Sequence, residues 1–543
     1  IKLLGLPLLK IDSLLSVGQM IETFTVDSTV TGVSSGYSVS TENEQGYSGG
    51  FIGECISGRA RNTQISNLKT VTASAASGKA GGFAGFAKAG DALASAGDSV
   101  TSSGLPAGIQ LENLLGVVSA LRPEFNNTSI AYVSNGSDPQ VSADMAGGFV
   151  GDGQAVDINY GNNNSGFKAD TNSEDGTTKG ETGAIATTNI TGLSYIKGTS
   201  YAGGFAGRLV PGDVAQTGSV KLLGLLNVNQ LLSVMDVAYP RISDSSIEGN
   251  NLVVTASGKN DDVALGDAGG YIGNGKAVMV KNSDVTNVKE VTAPYHAGGY
   301  IGIMRSGSAA EAGDATGDLL NSVLGKILSL KELASVLQAT SSKITNCKVS
   351  GTADGLTVTA DRGFENAEGY AGGFVGEMQS GHVDNSANAV DSGKGTAVEN
   401  LLKVEGLRYA GGFGGLVKAG AVAEIGAKSS ILTKLVDLTG LLSLVNAFVP
   451  VISNASVNSV EKGFTVTVTG TLEKDSTNDA DAGSAGGFIG CGTGVQISNS
   501  DVNKLQHTGV CEPKNLQQED GSSYYGSDSA YAVSGYRYAG GYI

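Results

Sequence analysis

The sequence predicts a mainly β protein: a parallel β-solenoid of Gly-Gly-aromatic repeats, with one amphipathic α-helix inserted in each repeat. Three observations predict it. A phrase of small residue, Gly, Gly, aromatic, small or aliphatic residue and Gly recurs ten times along 543 residues. Runs such as Leu252-Val253-Val254-Thr255-Ala256 alternate with period two, as half-buried strands do. Gly contributes 82 residues, roughly twice the usual share, while only 9 Pro exclude collagen.

The repeated phrase sets the organisation. Its Gly pairs are Gly49-Gly50, Gly81-Gly82, Gly147-Gly148, Gly203-Gly204, Gly269-Gly270, Gly298-Gly299, Gly372-Gly373, Gly411-Gly412, Gly486-Gly487 and Gly540-Gly541. The spacings are 32, 66, 56, 66, 29, 74, 39, 75 and 54 residues. They alternate shorter and longer, so one unit contains two anchors and spans about 110 residues. Five units follow: 1–98, 99–215, 216–313, 314–425 and 426–543.

Each unit opens on a Leu-rich stretch at helical spacing. Leu3-Leu4-Gly5-Leu6 and Leu14-Leu15-Ser16-Val17 in the first unit return as Leu222-Leu223-Gly224-Leu225 and Leu231-Leu232-Ser233-Val234 in the third. Pro123, Pro240 and Pro450 stop the helix in three units. A strand comes next, as in Leu356–Ala360 and Phe464–Val468. An acidic loop then leads into the first anchor.

The physics favours coiling. Gly takes a positive φ cheaply and lets neighbouring backbones approach closely. One aromatic per rung would stack inside, and Asn282, Asn385 and Asn499, which share a motif position, are placed to form a hydrogen-bonded ladder. A single rung is too small to bury its apolar face, so stacking must supply the core. With roughly 15–20 rungs at about 4.8 Å, the length would be on the order of 70–95 Å. A string of separate α+β domains of about 110 residues stays open as the alternative.

Gly269-Gly270-Tyr271-Ile272-Gly273-Asn274-Gly275 followed by Val280-Lys281-Asn282-Ser283, and Gly486 to Val502, resemble the GLUG motif of bacterial surface and secreted proteins. An aromatic replaces the motif's Leu, and the second anchor of each unit lacks the Asn-Ser strand. The resemblance covers about a quarter of the chain. It implies a parallel β-solenoid on a bacterial surface and no particular chemistry.

The net charge is −17, with 35 Lys and Arg against 52 Asp and Glu. Such a chain is repelled by phosphate backbones and anionic lipid heads, which argues against nucleic-acid and membrane-surface roles. The most apolar stretch, Ile431 to Ile452, contains Lys434, Asp437 and Asn446, so membrane insertion is not expected. The opening inside a Leu-rich stretch and the break inside an anchor suggest a segment of a longer array, or ends that dock on other copies.

No catalytic or cofactor residues stand out. His296, His382 and His507 form no metal pattern, and Gly381-His382-Val383 reads as a surface turn. No Gly-x-Ser-x-Gly elbow precedes a later His in the required setting. The Gly-Gly anchors lack the Lys-Ser/Thr of a phosphate loop and read as structural turns. The acidic loops hold Glu42 and Glu44; Asp138 and Asp144; Asp261, Asp262 and Asp267; Asp361, Glu365 and Glu368; Asp475, Asp479 and Asp481. In a solenoid they would align as an acidic stripe. That stripe reads first as a solvated face, with Asp475, Asp479 and Asp481 the weak candidates for calcium. Cys491 and Cys511, 20 residues apart, could sit side by side in a disulfide or remain as thiols. Trp is absent, which leaves Tyr524, Tyr525, Tyr531, Tyr536 and Tyr538 as the best stacking platform for a sugar.

The expected function is a non-enzymatic, extracellular bacterial cell-surface stalk or adhesin. Its partner would be a ligand on a host or neighbouring cell, or other copies of itself. The alternatives are a self-associating filament or surface-layer component, and a polysaccharide-acting β-helix enzyme.

Overall fold

The computed structural model describes residues 2–3, 6–7, 24–42, 46–89, 122–160, 186–212, 239–260, 264–307, 341–360, 369–386, 395–420, 449–469, 483–505, 533–534 and 538–540. Every regular element among them is a β-strand.

The strand that follows each anchor belongs to one sheet of nine parallel strands, stacked in chain order from Ile52–Ile56 to Ile489–Thr493. The short strand segment that opens each anchor, at two anchors the end of the longer strands Val141–Gly147 and Thr188–Gly203, lies in a second, larger sheet and pairs in parallel with the next anchor: Ala80 with Ala146, then Ala202, Ala268, Ala297, Ala371, Ala410 and Ala485. Longer strands precede the anchors. Ser245–Ala256 and Leu356–Ala360 carry the period-two pattern read from the sequence, with alternate residues buried. Strands at one level are called a rung below.

Strands pair across every unit boundary, as in Ile65 with Ile130, Ile190 with Ile247, Ile301 with Val375 and Gly414 with Ile489. Nearly all the buried apolar side chains form one continuous core. The unit is therefore a sequence repeat of two rungs, not a separately folded α+β domain. Each anchor supplies one rung rather than one of several. The ten described anchor strands, the last of them Tyr538–Gly540 paired with Ser484–Gly486, make a stack of about 43 Å at about 4.8 Å per rung, which corrects the expected 70–95 Å.

The two-anchor period has a simple structural origin. In five rungs a short turn leaves the nine-stranded sheet, with Ser57, Ala155, Ala277, Ser380 or Gly494 at positive φ. In the other four the chain makes a long excursion at the same corner: between Lys88 and Glu124, Val210 and Arg241, Arg305 and Lys343, and Lys418 and Val451. The Leu-rich stretches fall in these excursions and before residue 24. The helices expected there lie outside the described residues, with one exception. Lys2–Leu3 pairs antiparallel with Leu6–Pro7, so Leu3 and Leu6 are strand residues and not helical.

Aromatic stacking runs the full height of the stack. Phe51, Phe83, Phe149, Phe205, Tyr271, Tyr300, Phe374, Phe413 and Phe488 follow one another with centroids 4.8–5.1 Å apart. All but Phe51 are fully buried. Strand spacing and ring spacing coincide, so each ring meets the next without moving either backbone.

The anchor glycines are explained by close approach alone. None of the described pairs has a positive φ. A Cβ on Gly49, Gly147 or Gly269 would collide with the carbonyl oxygen three residues on, inside the same turn. A Cβ on Gly50, Gly204 or Gly373 would collide with the matching carbonyl of the next rung. The last Gly of the phrase packs on the anchor strand of the preceding rung: Gly207 on Ala146, Gly302 on Ala268 and Gly490 on Ala410.

Positive φ belongs largely to Asn instead, at Asn62, Asn127, Asn282, Asn346, Asn454 and Asn499 among others. Asn and Asp tolerate this region because their short polar side chains bond locally. The ladder at this corner is partial. Asn127 donates to Asn62 and Asn62 to Asp27, at 2.7 and 2.8 Å. Asn346 donates to Asn282 at 3.3 Å, whereas Asn385 accepts from the Cys347 amide and bonds no Asn.

Gly204→Val or Gly373→Val should destabilise the fold by about 3 kcal/mol, through overpacking and backbone displacement. Thr359→Val, on a half-exposed strand position, should change it little. Urea unfolding of the three variants checks this; similar midpoints for all three would contradict it.

Candidate functional site

Two positions flank each Gly-Gly turn on the same side: the first residue of the anchor strand and the third residue of the strand that follows. The rest of the phrase is nearly constant, but these positions vary, and they hold most of the buried charge. The chain thereby places charged side chains in two facing columns, one step apart per rung.

Asp152 is fully buried in the third rung. Lys79 of the rung before approaches it at 2.7 Å. Arg208 of the rung after donates from both Nε and a terminal nitrogen, at 2.9 and 2.8 Å. The Lys79 ammonium also lies 3.4 Å from the centre of the Phe86 ring. Burial opposes ionisation of Asp152, but Arg208 first and Lys79 second outweigh it and hold the carboxyl below its usual range. Nearby, Asp144 accepts from the Ser200 hydroxyl and pairs with Lys259, each at 2.6 Å.

A second cluster spans the fifth to eighth rungs. His296 Nδ1 lies 2.6 Å from Asp267 Oδ1, and its Nε2 lies 2.9 Å from Glu377 Oε2. Asn274 donates to the other Asp267 oxygen at 2.8 Å. Lys418 reaches Glu377 Oε1 at 2.7 Å and Arg305 lies 3.6 Å from Oε2. Burial raises the cost of charge on Glu377, yet His296 and then Lys418 keep its carboxyl well below the ordinary range. Chemically, the cluster can hold and exchange a proton, and it locks successive rungs in register. Among the described residues, no group of three or more His, Cys, Asp and Glu is arranged to hold a metal.

These placements revise parts of the sequence reading. Asp144 and Asp267 point inward and are paired, so they are not members of a solvated acidic stripe. Glu42 and Asp138 are exposed. Glu44, Asp261, Asp262, Asp361, Glu365, Glu368 and the calcium candidates Asp475, Asp479 and Asp481 lie outside the described residues. His382 opens the strand His382–Asp384 and is half-buried; the turn is Gly381, at φ +94°. Burial first, and Lys343 second, lower the His382 pKa. His296 was indistinct in the sequence because its partners are 29 and 81 residues away. The only signal was variation at one position of a constant phrase.

Cys491 is half-buried in the strand Ile489–Thr493, while Cys511, and with it the 491–511 pairing, lies outside the described residues. Burial pushes the Cys55 thiol up to about 11 and the Cys347 thiol up to about 12, so neither is a nucleophile at neutral pH. Of the Tyr cluster, Tyr538 begins the strand Tyr538–Gly540, and the other four lie outside the described residues. No described helix is long and apolar enough to cross a membrane.

Comparison with protein-family models, with characterised proteins and with solved structures returns no match for this chain.

Asp152→Ala should cost about 2–3 kcal/mol, because it leaves the partly buried Lys79 and Arg208 without their shared counter-charge; a loss below about 1 kcal/mol in urea unfolding would contradict the pairing. Glu377 titrates lower folded than unfolded. Its stabilisation is therefore full above the ordinary carboxylate value of about 4.3 and is lost as pH falls through the folded value. Glu377→Gln should lower the melting temperature at pH 7 and flatten its decline between about pH 5 and pH 2. Parallel melting curves for the two proteins over that range would refute this.

Proposed function

We propose that the stack is a parallel β-solenoid and that the protein is a non-enzymatic, GLUG-like stalk or adhesin segment on a bacterial cell surface. The observation that carries this reading is the unbroken column of nine stacked rings, Phe51 to Phe488, in one continuous core. A stack in which every rung contacts mainly its neighbours makes a stiff body that presents continuous side faces. Such a body suits the separation of a binding surface from its anchor better than it suits the enclosure of a substrate. The buried charged groups are committed to one another across rungs, as Asp152 is to Lys79 and Arg208. The strongly acidic charge of −17 fits a solvated exterior that resists non-specific association.

Protease treatment of intact cells of the source bacterium, followed by immunoblotting, tests the location. Degradation of this segment while a cytoplasmic control stays intact is the expected result. Protection of the segment in intact cells but not in lysates would overturn the surface reading.

A further inference from the structure

The Asp267–His296–Glu377 arrangement carries a consequence independent of where the protein resides. We propose that His296 is a pH-sensitive clamp: it is held as an imidazolium that ties three successive rungs together, and the clamp is released on the alkaline side.

The argument is one of donors and acceptors. An ionised carboxylate only accepts hydrogen bonds, and a neutral imidazole has a single N–H. His296 faces a carboxylate oxygen at each ring nitrogen, at 2.6 and 2.9 Å. Nδ1 hydrogen-bonds Asp267, while Nε2 meets Glu377 as a close ion-pair contact without hydrogen-bond alignment. Only the doubly protonated ring carries the charge that both carboxylates favour, and the neutral ring would leave a nitrogen lone pair against one of them in a site shielded from water. The side chains of His296, Asp267 and Glu377 are 7%, 7% and 2% exposed, so water does not relieve that clash.

Asp267 belongs to the preceding anchor strand and is itself fixed by Asn274. Glu377 comes from the following rung, where His296 first and Lys418 second hold its carboxyl below the ordinary range against burial, and Arg305 lies 3.6 Å from Oε2. The Tyr370 ring lies edge-on at 5.4 Å. Among the described contacts, Lys418 and Arg305 reach Glu377, and His296 is the group that meets Asp267 from this side. The imidazolium is thereby favoured in the folded chain over the unfolded one. Its contribution to stability is fully present below the ordinary histidine value of about 6.5 and is lost as pH rises through the higher folded value.

Nitrogen NMR of the 543-residue chain, with histidine side chains labelled and His296 assigned as the signal that survives in both His382→Gln and His507→Gln, tests this directly. The expected spectrum shows both ring nitrogens of His296 protonated at pH 7.5, with the charge lost at least one pH unit above the ordinary midpoint of about 6.5. The wild-type melting temperature should fall more between pH 6.5 and pH 9.5 than that of His296→Gln. A ring with a single protonated nitrogen at pH 7.5 would overturn the proposal, and this reading does not depend on His296→Gln folding. Equal alkaline losses for wild type and His296→Gln would overturn it as well.

Discussion

The spacing between parallel strands, about 4.8 Å, is the constraint on which the structure depends. Everything placed at equivalent positions of successive rungs must tolerate a copy of itself at that distance. Flat rings do so by stacking, and the centroid separations of 4.8–5.1 Å show the match. Glycines do so because the carbonyl of one rung occupies the place where the Cβ of the neighbouring glycine would be. Asn does so where side-chain amide and carbonyl meet, as Asn127 and Asn62 do. Charged side chains tolerate the spacing only when sign alternates along the stack. Asp267, His296 and Glu377 fulfil that condition across three rungs, and Lys79, Asp152 and Arg208 across three others.

The same constraint explains why the charged residues differ from rung to rung while the anchors do not. A stack of near-identical rungs is exposed to slippage by one rung, because rings and glycines match any neighbour. Lys79, Asp152 and Arg208 match only each other. A slip would set Asp152 beside partners that leave its buried carboxylate uncompensated. Buried polar groups of this kind are best attested as devices that fix register.

Much of the fold was legible in the sequence because it is written in repetition. The strand Leu356–Ala360 was readable to the residue from its alternation. The aromatic column followed from one ring per anchor. The role of the glycines was legible only in part: their necessity was plain, but the sequence does not separate positive φ from close approach, and here close approach decides. Rung number was misjudged because a rung uses three or more strands and several corners, a length that composition does not reveal. The buried clusters were hidden for a different reason. His296 and Glu377 are 81 residues apart, and only the three-dimensional register brings them to 2.9 Å. Asp144 and Asp267 looked like members of acidic loops because their partners Lys259 and His296 are distant in sequence.

Register is the central claim, and paired spin labels measure it most directly. Thr72, Thr359 and Thr467 occupy one column, linked through Ser142, Lys197, Thr255, Thr292 and Glu405. Thr72 and Thr359 are five rungs apart, and Thr72 and Thr467 seven. Electron–electron double resonance should give separations of about 24 Å and about 34 Å, increasing by one strand spacing per rung. Separations that ignore the rung count, or broad distributions with no defined distance, would contradict a single stack in register.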